Sequence, residues 1–302
     1  ADKIPCRGSF FVRPFEFLET LHAIYREERF SDYQERLPSR LAASRGNQHP
    51  LVSPPPNSSL SHLDNLWRHG WGILWGPPGT GKTYTIGQQV AKSLTDPTER
   101  ILVVSTTNKA TDGVALSIGR AAGSVEIAKK KILRIGKNAD YNSFSAKKLE
   151  AMLAGCEAEL LYQMVELRSR LKRSQDHGER AKIRQQLQHL REAIRDRALE
   201  IFLSKDARVV VATAFRALTL LKEPGVSDLI EEDQAPFTTV IIDEAGLLSR
   251  ATTAALSLLA ARRVVLVGDP KQLAPISKMS RVLPTVQATW LARSALSHLT
   301  DT

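Results

Sequence analysis

"GILWGPPGTGKTYT", residues 72–85, combines a short apolar run, a glycine-rich loop and the beginning of a helical pattern. The loop from Gly76 to Thr83 matches the pattern GxxxxGK[ST]. In this pattern the glycines let backbone N–H groups turn toward phosphates, and the following helix directs its positive end at them. The stretch therefore predicts a phosphate-binding loop between a strand and a helix.

We expect the loop to surround the phosphates of a nucleotide, taken to be ATP, with eight residues: Gly76, Pro77, Pro78, Gly79, Thr80, Gly81, Lys82 and Thr83. Lys82 would reach the β- and γ-phosphates, and the Thr83 hydroxyl would bind Mg²⁺. A glycine turn that binds nothing is the alternative interpretation. The strand pattern before the loop and the helical pattern after it argue against that alternative.

Two other apolar runs end in residues with catalytic potential. "TTVIIDEAG", residues 238–246, ends in the adjacent carboxylates Asp243 and Glu244, which need a cation or a reacting water as partner. We expect Asp243 to hold Mg²⁺ and Glu244 to orient and deprotonate the attacking water. "VVLVGDPKQLAPI", residues 264–276, places Gln272 where it would contact a γ-phosphate or that water.

The fold class follows from short apolar runs separated by longer segments of helical character. The runs are GILW, RILVVS, KILRIG, RVVVAT, TTVIID and RRVVLVG. Runs that are apolar at successive residues are typical of strands covered on both faces, as in a parallel sheet. The sequence predicts an α/β fold, with a doubly wound parallel sheet and helices on both faces.

The remaining segments define the predicted domain organisation. Residues 1–50 form an N-terminal helical extension, residues 51–61 form a Pro/Ser-rich linker, and residues 62–302 form the nucleotide-binding domain. Within that domain, residues 145–203 are predicted to insert an α-helical hairpin. Its first helix is indicated by residues that step by three and four, namely Leu149, Leu153, Cys156, Leu160, Gln163 and Leu167.

Charge and composition indicate which kinds of partner the protein has. The 302 residues carry a net charge of +10, which favours a polyanion such as nucleic acid, with ordinary solubility charge as the alternative. Residues 166–197 of the hairpin carry ten basic and five acidic residues. This excess of basic residues could contact phosphates, or it could be an ordinary solvated face.

Two cysteines without a CxxC motif indicate neither zinc nor disulfides, so we expect a reducing cytoplasm or nucleus. No apolar run approaches the roughly 20 residues that span a bilayer, so we expect a soluble protein without a membrane partner.

Several motifs together resemble a known family. "GPPGTGKT", "DEAG" and "GDPKQLAP", in this order, resemble motifs I, II and III of superfamily 1 helicases, specifically the 1B group of up-frameshift, senataxin and immunoglobulin-switch-region-binding type. "VVSTTNKATDGV" resembles motif Ia, "ILRIG" resembles the strand that follows it, and "VVVATAFRAL" resembles motif Ic. The resemblance covers about residues 70–300 and implies the first RecA-like domain of an ATP-dependent helicase, a P-loop NTPase.

The resemblance also implies a single-stranded nucleic acid as partner and 5′-to-3′ translocation. The backbone of the strand would contact motifs Ia and Ic through Thr106, Thr107, Asn108 and Thr213. Helix capping is the alternative role for such threonines. The hairpin at residues 145–203 lies where relatives carry a subdomain near the nucleic-acid channel.

Two departures from the family pattern limit these expectations. "NSSLSHLDNLWRHGWGI" lacks the glutamine with which relatives read adenine before the phosphate loop, and the 302 residues end before motifs IV to VI. In the family those motifs lie on a second RecA-like domain, which supplies arginine fingers. We therefore expect this chain alone to bind nucleotide and to hydrolyse it barely. An AAA+ remodelling ATPase and a nucleotide-gated interaction module without unwinding activity are the alternative functions.

Overall fold

The computed structural model describes residues 16–26, 48–50, 67, 70–123, 126, 129, 131–136, 139–153, 155–271, 275 and 284–297. The predicted linker at residues 51–61 and the predicted site residue Gln272 lie outside these ranges.

A single parallel sheet organises the described residues. Its strands are β1 (Gln48–Pro50), β2 (Trp71–Trp75), β3 (Ile101–Ser105), β4 (Ile132–Arg134), β5 (Val209–Thr213), β6 (Phe237–Ile242) and β7 (Ala260–Gly268). Their order is β1-β2-β7-β6-β3-β5-β4, and every neighbouring pair is parallel. Six of these strands coincide with the six predicted apolar runs. The predicted α/β fold is confirmed, and its architecture is that of a P-loop, RecA-like domain.

Helices connect the strands and cover the sheet. They are α1 (Glu16–Arg26), α2 (Lys82–Ser93), α3 (Asn108–Ala122), α4 (Tyr141–Ser145), α5 (Gly155–Arg173), α6 (His177–Leu203), α7 (Ala214–Leu221), α8 (Pro224–Glu231), α9 (Arg250–Ser257) and α10 (Thr285–Ala292). Short 3₁₀ turns lie at Glu150–Leu153 and Ala245–Leu247. None of the helices in the described part of the chain is long and apolar enough to cross a membrane.

The two faces of the sheet have separate hydrophobic clusters because successive side chains of a strand point to opposite faces. In β3, Val103 packs with residues of α2 and α3, whereas Leu102 and Val104 pack with residues of α7 and α9. All three valine and leucine side chains are fully buried. Full burial of such a side chain contributes about 1.5–3 kcal/mol to the free energy of unfolding, so the strand is strongly held between both helical layers.

The N-terminal helix α1 packs on the face that carries α7 and α9. Its Leu21 and Ile24, three residues apart and so on one side of the helix, are buried in the cluster of that face. The Tyr25 hydroxyl donates a hydrogen bond of 2.7 Å to the carbonyl oxygen of Ala251, and burial raises the pKa of this tyrosine. This part of residues 1–50 therefore contacts the sheet domain directly; the domain boundaries at residues 50 and 62 stay predictions.

Helices α5 and α6 run against each other as a hairpin joined by residues 174–176. The hairpin has a small core of its own, formed by Met164, Ile183, Leu187 and Ile194. The sequence spacing assigned Gln163 to the apolar stripe, but the structure exposes Gln163 and buries Met164. The stripe is therefore shifted by one residue at this turn, because the apolar methionine rather than the polar glutamine packs against α6.

A buried arginine attaches the end of α6 to the sheet. Arg100 donates hydrogen bonds to the carbonyl oxygens of Ile201 and Phe202, at 3.2 and 2.7 Å, and its guanidinium lies 4.3 Å from the ring centroid of Phe237. Burial lowers the pKa of Arg100 to about 10. The arginine donates to carbonyls at the C-terminal end of a helix, where the orphan acceptors and the helix dipole favour a cation.

Candidate nucleotide and nucleic-acid site

The predicted functional segments meet at one edge of the sheet. Because the strands are parallel, the loops that follow β2, β3, β5, β6 and β7 all lie at the carboxyl edge. The glycine-rich loop after β2 and the segments after β6 and β7 are neighbours, since these three strands are adjacent in the sheet. The segments after β3 and β5 are neighbours on the other half of the sheet.

The glycine-rich loop has a backbone that only glycine adopts readily. Gly79 and Gly81 have φ angles of +82° and +85°, in the left-handed region. A Cβ atom built at either position would have no other heavy atom within 4 Å, so the positive φ angle rather than crowding favours glycine at both positions. The Gly76 N–H donates to the carbonyl oxygen of Gly268 across 3.1 Å, which fixes the beginning of the loop to the end of β7.

Lys82 begins α2 directly after the loop. Its Nζ donates hydrogen bonds to the carbonyl oxygens of Gly76 and Pro77, at 2.6 and 2.9 Å. No side chain caps the first turn of α2, and the hydroxyl-bearing Thr83 is exposed there. The positive end of the helix, the lysine ammonium and the glycine-rich loop together favour an anion such as a phosphate group.

Asp243 and Glu244 follow β6, which lies two strands from β2. The Asp243 side chain is buried at the strand end, and its backbone N–H donates to the carbonyl oxygen of Val104 at 2.8 Å. Burial, followed by the nearby charge of Glu244, raises the pKa of Asp243 to about 7, while the ammonium of Lys82 opposes that rise. Lys82, after β2, and Asp243, after β6, thus lie at the same edge of the sheet, with only β7 between their strands.

Glu244 has an unusual backbone conformation. Its φ of 55° lies in the left-handed region, which a residue with a Cβ rarely adopts. It begins the 3₁₀ turn Ala245–Leu247, where the Leu247 N–H donates to the Glu244 carbonyl oxygen at 2.9 Å. Its side chain is half-buried, in contrast to that of Asp243. Such strained residues occur at functional sites, where the surrounding structure holds them in place.

The oxygen donors at this edge fit a magnesium ion. The Thr83 hydroxyl and the Asp243 carboxylate are hard ligands of the kind that Mg²⁺ prefers. The raised pKa of Asp243 reflects a buried negative charge beside a second carboxylate, which a divalent cation would stabilise.

The turns after β6 and β7 touch through their backbones. A Cβ atom at Gly268 would lie 2.9 Å from a methyl group of Leu296 and 3.1 Å from the backbone nitrogen of Gly246. In the turn after β7, the Lys271 N–H donates to the Asp269 carboxylate at 2.9 Å. Gln272 follows this turn outside the described residues, so its predicted contact with a phosphate or a water stays a prediction.

A cleft of about 570 Å³ lies at the other half of the same edge. Two of the four residues predicted to contact nucleic acid, Asn108 and Thr213, line this cleft together. Thr106 and Thr107 directly precede Asn108, and Thr107 is exposed. The structure therefore brings motifs Ia and Ic to one surface feature.

Both Thr107 and Thr213 cap helices. The Thr107 hydroxyl accepts a hydrogen bond from the Ala110 N–H at 3.1 Å, and the Thr213 hydroxyl accepts one from the Arg216 N–H at 3.2 Å. The alternative role that the sequence left open is thus present. A capping hydroxyl still has a hydrogen to donate, so a contact to a strand stays a prediction for both residues.

Three cations line the cleft: Arg195, Arg216 and Lys222. Arg195 comes from α6 of the hairpin, which the sequence identified only as part of a basic stretch. Arg216 and Lys222 belong to the segment after β5, and nothing in their spacing distinguishes them from other surface cations. Proximity across the fold, which the sequence does not reveal, joins them to Asn108 and Thr213.

Comparisons with known proteins agree with this architecture. The model of the AAA domain family AAA_11 matches residues 55–279. "DNA-binding protein SMUBP-2" of Rattus norvegicus is 29% identical over 237 residues, which cover 76% of this chain and 22% of that protein. The proteins of the same name from Mus musculus and Mesocricetus auratus are 27% and 28% identical over 240 residues, with the same shares of each chain.

The chain thus spans about a fifth of the length of these curated relatives. The family match, in contrast, extends from before the glycine-rich loop to beyond the turn after β7. It therefore includes every segment that the sheet brings to its carboxyl edge. The chain belongs to the AAA domain family AAA_11, a family of superfamily 1 helicase-type ATPase domains.

Proposed function

We propose that the chain is the ATP-binding first motor domain of an ATP-dependent helicase that translocates along a single strand of nucleic acid. The observation that carries this proposal is the placement of the glycine-rich loop with Lys82, after β2, and of the buried Asp243, after β6, at the same carboxyl edge of the sheet. A phosphate-binding loop and a buried carboxylate at one strand edge are the two halves of a nucleotide triphosphate site.

In this proposal the loop Gly76–Thr83 holds the phosphates through its backbone N–H groups. Lys82 exchanges its bonds to the Gly76 and Pro77 carbonyls for bonds to the β- and γ-phosphates. The exchange replaces two neutral acceptors with charged ones, so the ammonium gains an ion pair with the phosphates.

Thr83 and Asp243 would hold Mg²⁺, and the ion would supply positive charge against the negative charge of the phosphates. Glu244 accepts the proton of the attacking water. Glu244 is half-buried and lies in a left-handed turn, whereas Asp243 is buried. The two carboxylates therefore have different environments, which lets one bind metal and the other act as a base. Gln272 would orient the same water or contact the γ-phosphate.

The strand would lie along the cleft lined by Asn108 and Thr213, close to Thr106 and Thr107. Arg195, Arg216 and Lys222 supply positive charge for its phosphates, and contacts to phosphates position a strand without reading its sequence. The relatives are named as DNA-binding proteins, which favours a nucleic acid as partner and leaves RNA as an outcome of the test. Translocation in the 5′-to-3′ direction rests on the family resemblance, as does a second RecA-like domain as partner that supplies arginine fingers.

A nucleotide-gated interaction module without unwinding activity is the second candidate function. Adjacent strands of the sheet, from β2 through β7 and β6 to β3, connect the candidate nucleotide site to the cleft. Either function could use this connection to link nucleotide binding to the cleft. The AAA+ remodelling alternative has less support, because GDPKQLAP follows β7 where that class expects a polar sensor, typically asparagine, on the strand.

The test uses the longest natural form of the protein, with ATP turnover and duplex unwinding measured in parallel. A helicase shows ATP turnover that single-stranded DNA or RNA stimulates, and unwinds a duplex with a 5′ overhang. Stimulated turnover or nucleotide-dependent strand binding without unwinding would assign the gated module. Turnover that neither DNA nor RNA alters would contradict the nucleic-acid role.

A further inference from the structure

The strand β4 contains a buried arginine that no step of the proposed function uses. Arg134 is 1% exposed, although it stands in an apolar strand at the edge of the sheet. Its Nε donates to the Asp112 carboxylate at 2.9 Å, and its Nη1 donates to the Ile135 carbonyl oxygen at 2.7 Å. A buried cation with an ion pair and several hydrogen bonds is costly to build, so its position is strongly determined.

The third contact of Arg134 leads to the cleft. Its Nη2 donates to the side-chain oxygen of Asn108 at 2.9 Å, and Asn108 lines the cleft beside Thr213. Arg134 itself lies behind the wall that Asn108 and Gly136 form. Gly136 has a φ of +119°, and a Cβ there would lie 2.7 Å from Nη1 of Arg134, so only glycine leaves room for the guanidinium.

The chemistry of this contact determines which way the Asn108 amide faces. A guanidinium has only donors, so the oxygen of the amide must face Arg134. The NH₂ group is then the part of the amide that remains for the cleft. The cleft also carries Arg195, Arg216 and Lys222 against one carboxylate, Glu223, among its described residues, so its excess of positive charge favours the phosphates of a phosphodiester backbone.

Asp112 completes the arrangement from the opposite side. One of its oxygens pairs with Arg134, and the other accepts a hydrogen bond from the Asp140 N–H at 2.9 Å. Asp140 caps the helix α4, which begins the segment that leads to the hairpin. The pair thus ties α3, β4 and the start of this segment to each other behind the cleft wall.

We propose that Arg134 is a positioning residue for strand binding: it holds the Asn108 side chain so that its amide NH₂ donates to a phosphate oxygen of a single strand. This inference rests on the proposed function, because it assigns a phosphodiester to the cleft. It assigns no contact between Arg134 and the strand.

The test is a double-mutant cycle on the 302-residue chain with Arg134→Lys and Asn108→Ala. Lysine keeps the charge beside Asp112, but a single ammonium does not reproduce the fork that reaches both Asp112 and Asn108. The affinity for a fluorescein-labelled oligo(dT) strand is measured by anisotropy at low salt, with the affinity for a fluorescent ATP analogue as the control for an intact fold.

Each single substitution is expected to weaken oligo(dT) binding about tenfold, the loss of one hydrogen bond to a charged group. The double variant is expected to bind no more weakly than either single variant, because Arg134 acts through Asn108. Affinity for the ATP analogue is expected to stay unchanged. The inference would be overturned if the losses of oligo(dT) affinity multiplied in the double variant, or if affinity for oligo(dT) and for the ATP analogue fell equally. Either result would assign Arg134 to general stability.

A second variant, Asn108→Asp, keeps the acceptor for Arg134 and removes the NH₂ donors. It is expected to bind oligo(dT) at least as weakly as Asn108→Ala, and binding at wild-type strength would overturn the inference even if Arg134→Lys does not fold. An abasic strand of the same length should show the same loss, because it keeps the phosphates; no loss on that strand would contradict the phosphate assignment. Failure of the wild-type chain to bind any strand while it binds nucleotide would overturn both the inference and the nucleic-acid part of the proposed function.

Discussion

The backbone of Gly246 lies directly against that of Asp269: a Cβ atom at Gly246 would be 2.9 Å from the Asp269 carbonyl oxygen. This contact joins the turn after β6, which carries the paired carboxylates, to the turn after β7. Neither partner is the end of a flexible side chain, so a substitution at Gly246 must move backbone. The two turns therefore keep their relative position only with glycine at residue 246.

Gly246→Ala is expected to destabilise the chain by about 1–3 kcal/mol, the usual cost of inserting a methyl group into a packed region. Urea unfolding measures this change. Gly113→Ala is the matched control, because Gly113 is exposed within α3 and a Cβ there would meet nothing within 4 Å. The control is expected to gain up to about 1 kcal/mol from helix propensity. Equal effects at the two glycines would contradict the close contact between the turns.

Met164→Ala is expected to destabilise the hairpin by about 2–5 kcal/mol, because Met164 is buried between α5 and α6. The neighbouring Gln163→Ala is expected to change stability by less than about 0.5 kcal/mol, since Gln163 is exposed. Hydrogen exchange of the amides in α5 and α6 separates hairpin opening from global unfolding. A larger destabilisation by Gln163→Ala than by Met164→Ala would instead support the apolar stripe that the sequence spacing predicted.

Asp243→Asn is expected to preserve or raise the stability of the chain in the absence of Mg²⁺. The substitution removes a carboxyl group whose pKa is raised to about 7, first by burial and then by the nearby charge of Glu244. The same variant is expected to lose the Mg²⁺-dependent part of its affinity for nucleotide, measured with and without EDTA. A variant that is less stable yet keeps the full dependence on Mg²⁺ would contradict the predicted metal role.

Glu244→Gln is expected to bind nucleotide normally and to hydrolyse it at least about 10²-fold more slowly, the typical contribution of a general base. The measurement is ATP turnover by the longest natural form of the protein, because the proposed function assigns arginine fingers to a second RecA-like domain. Glu231→Gln, at the end of α8, serves as the control for an unrelated carboxylate. Turnover near the wild-type rate in Glu244→Gln would place the base elsewhere.

Much of the fold could be predicted because the relevant signals are local. Six apolar runs become strands, and the spacing of Leu21 and Ile24 predicts the buried side of α1. The three-residue strand β1 has no such signal, since "QHP" contains a proline and no apolar run. Its pairing with β2 depends on tertiary contact.

The candidate site could likewise be predicted from the sequence only in part. The glycine-rich loop and the paired carboxylates carry their chemistry in contiguous residues, and their position at strand ends follows from parallel strands. The cleft could not be predicted in this way. Arg195 on α6 and Asn108 on α3 are far apart in sequence, and only the order of β3, β5 and β4 brings them together. The one available signal for Arg134 was an arginine inside the apolar run "KILRIG", where a cation needs a buried partner.

In the proposed function the loop at Gly76–Thr83 binds a nucleotide through Lys82. The most direct measurement is the affinity of the 302-residue chain for a fluorescent ATP analogue in the presence of Mg²⁺, compared between wild type, Lys82→Ala and Lys92→Ala. Lys92 is an exposed lysine in the last turn of the same helix and serves as the control. We expect the affinity to fall about 100-fold in Lys82→Ala, which corresponds to two charge-assisted hydrogen bonds, and to stay unchanged in Lys92→Ala. Unchanged affinity in a well-folded Lys82→Ala variant would contradict this role of Lys82.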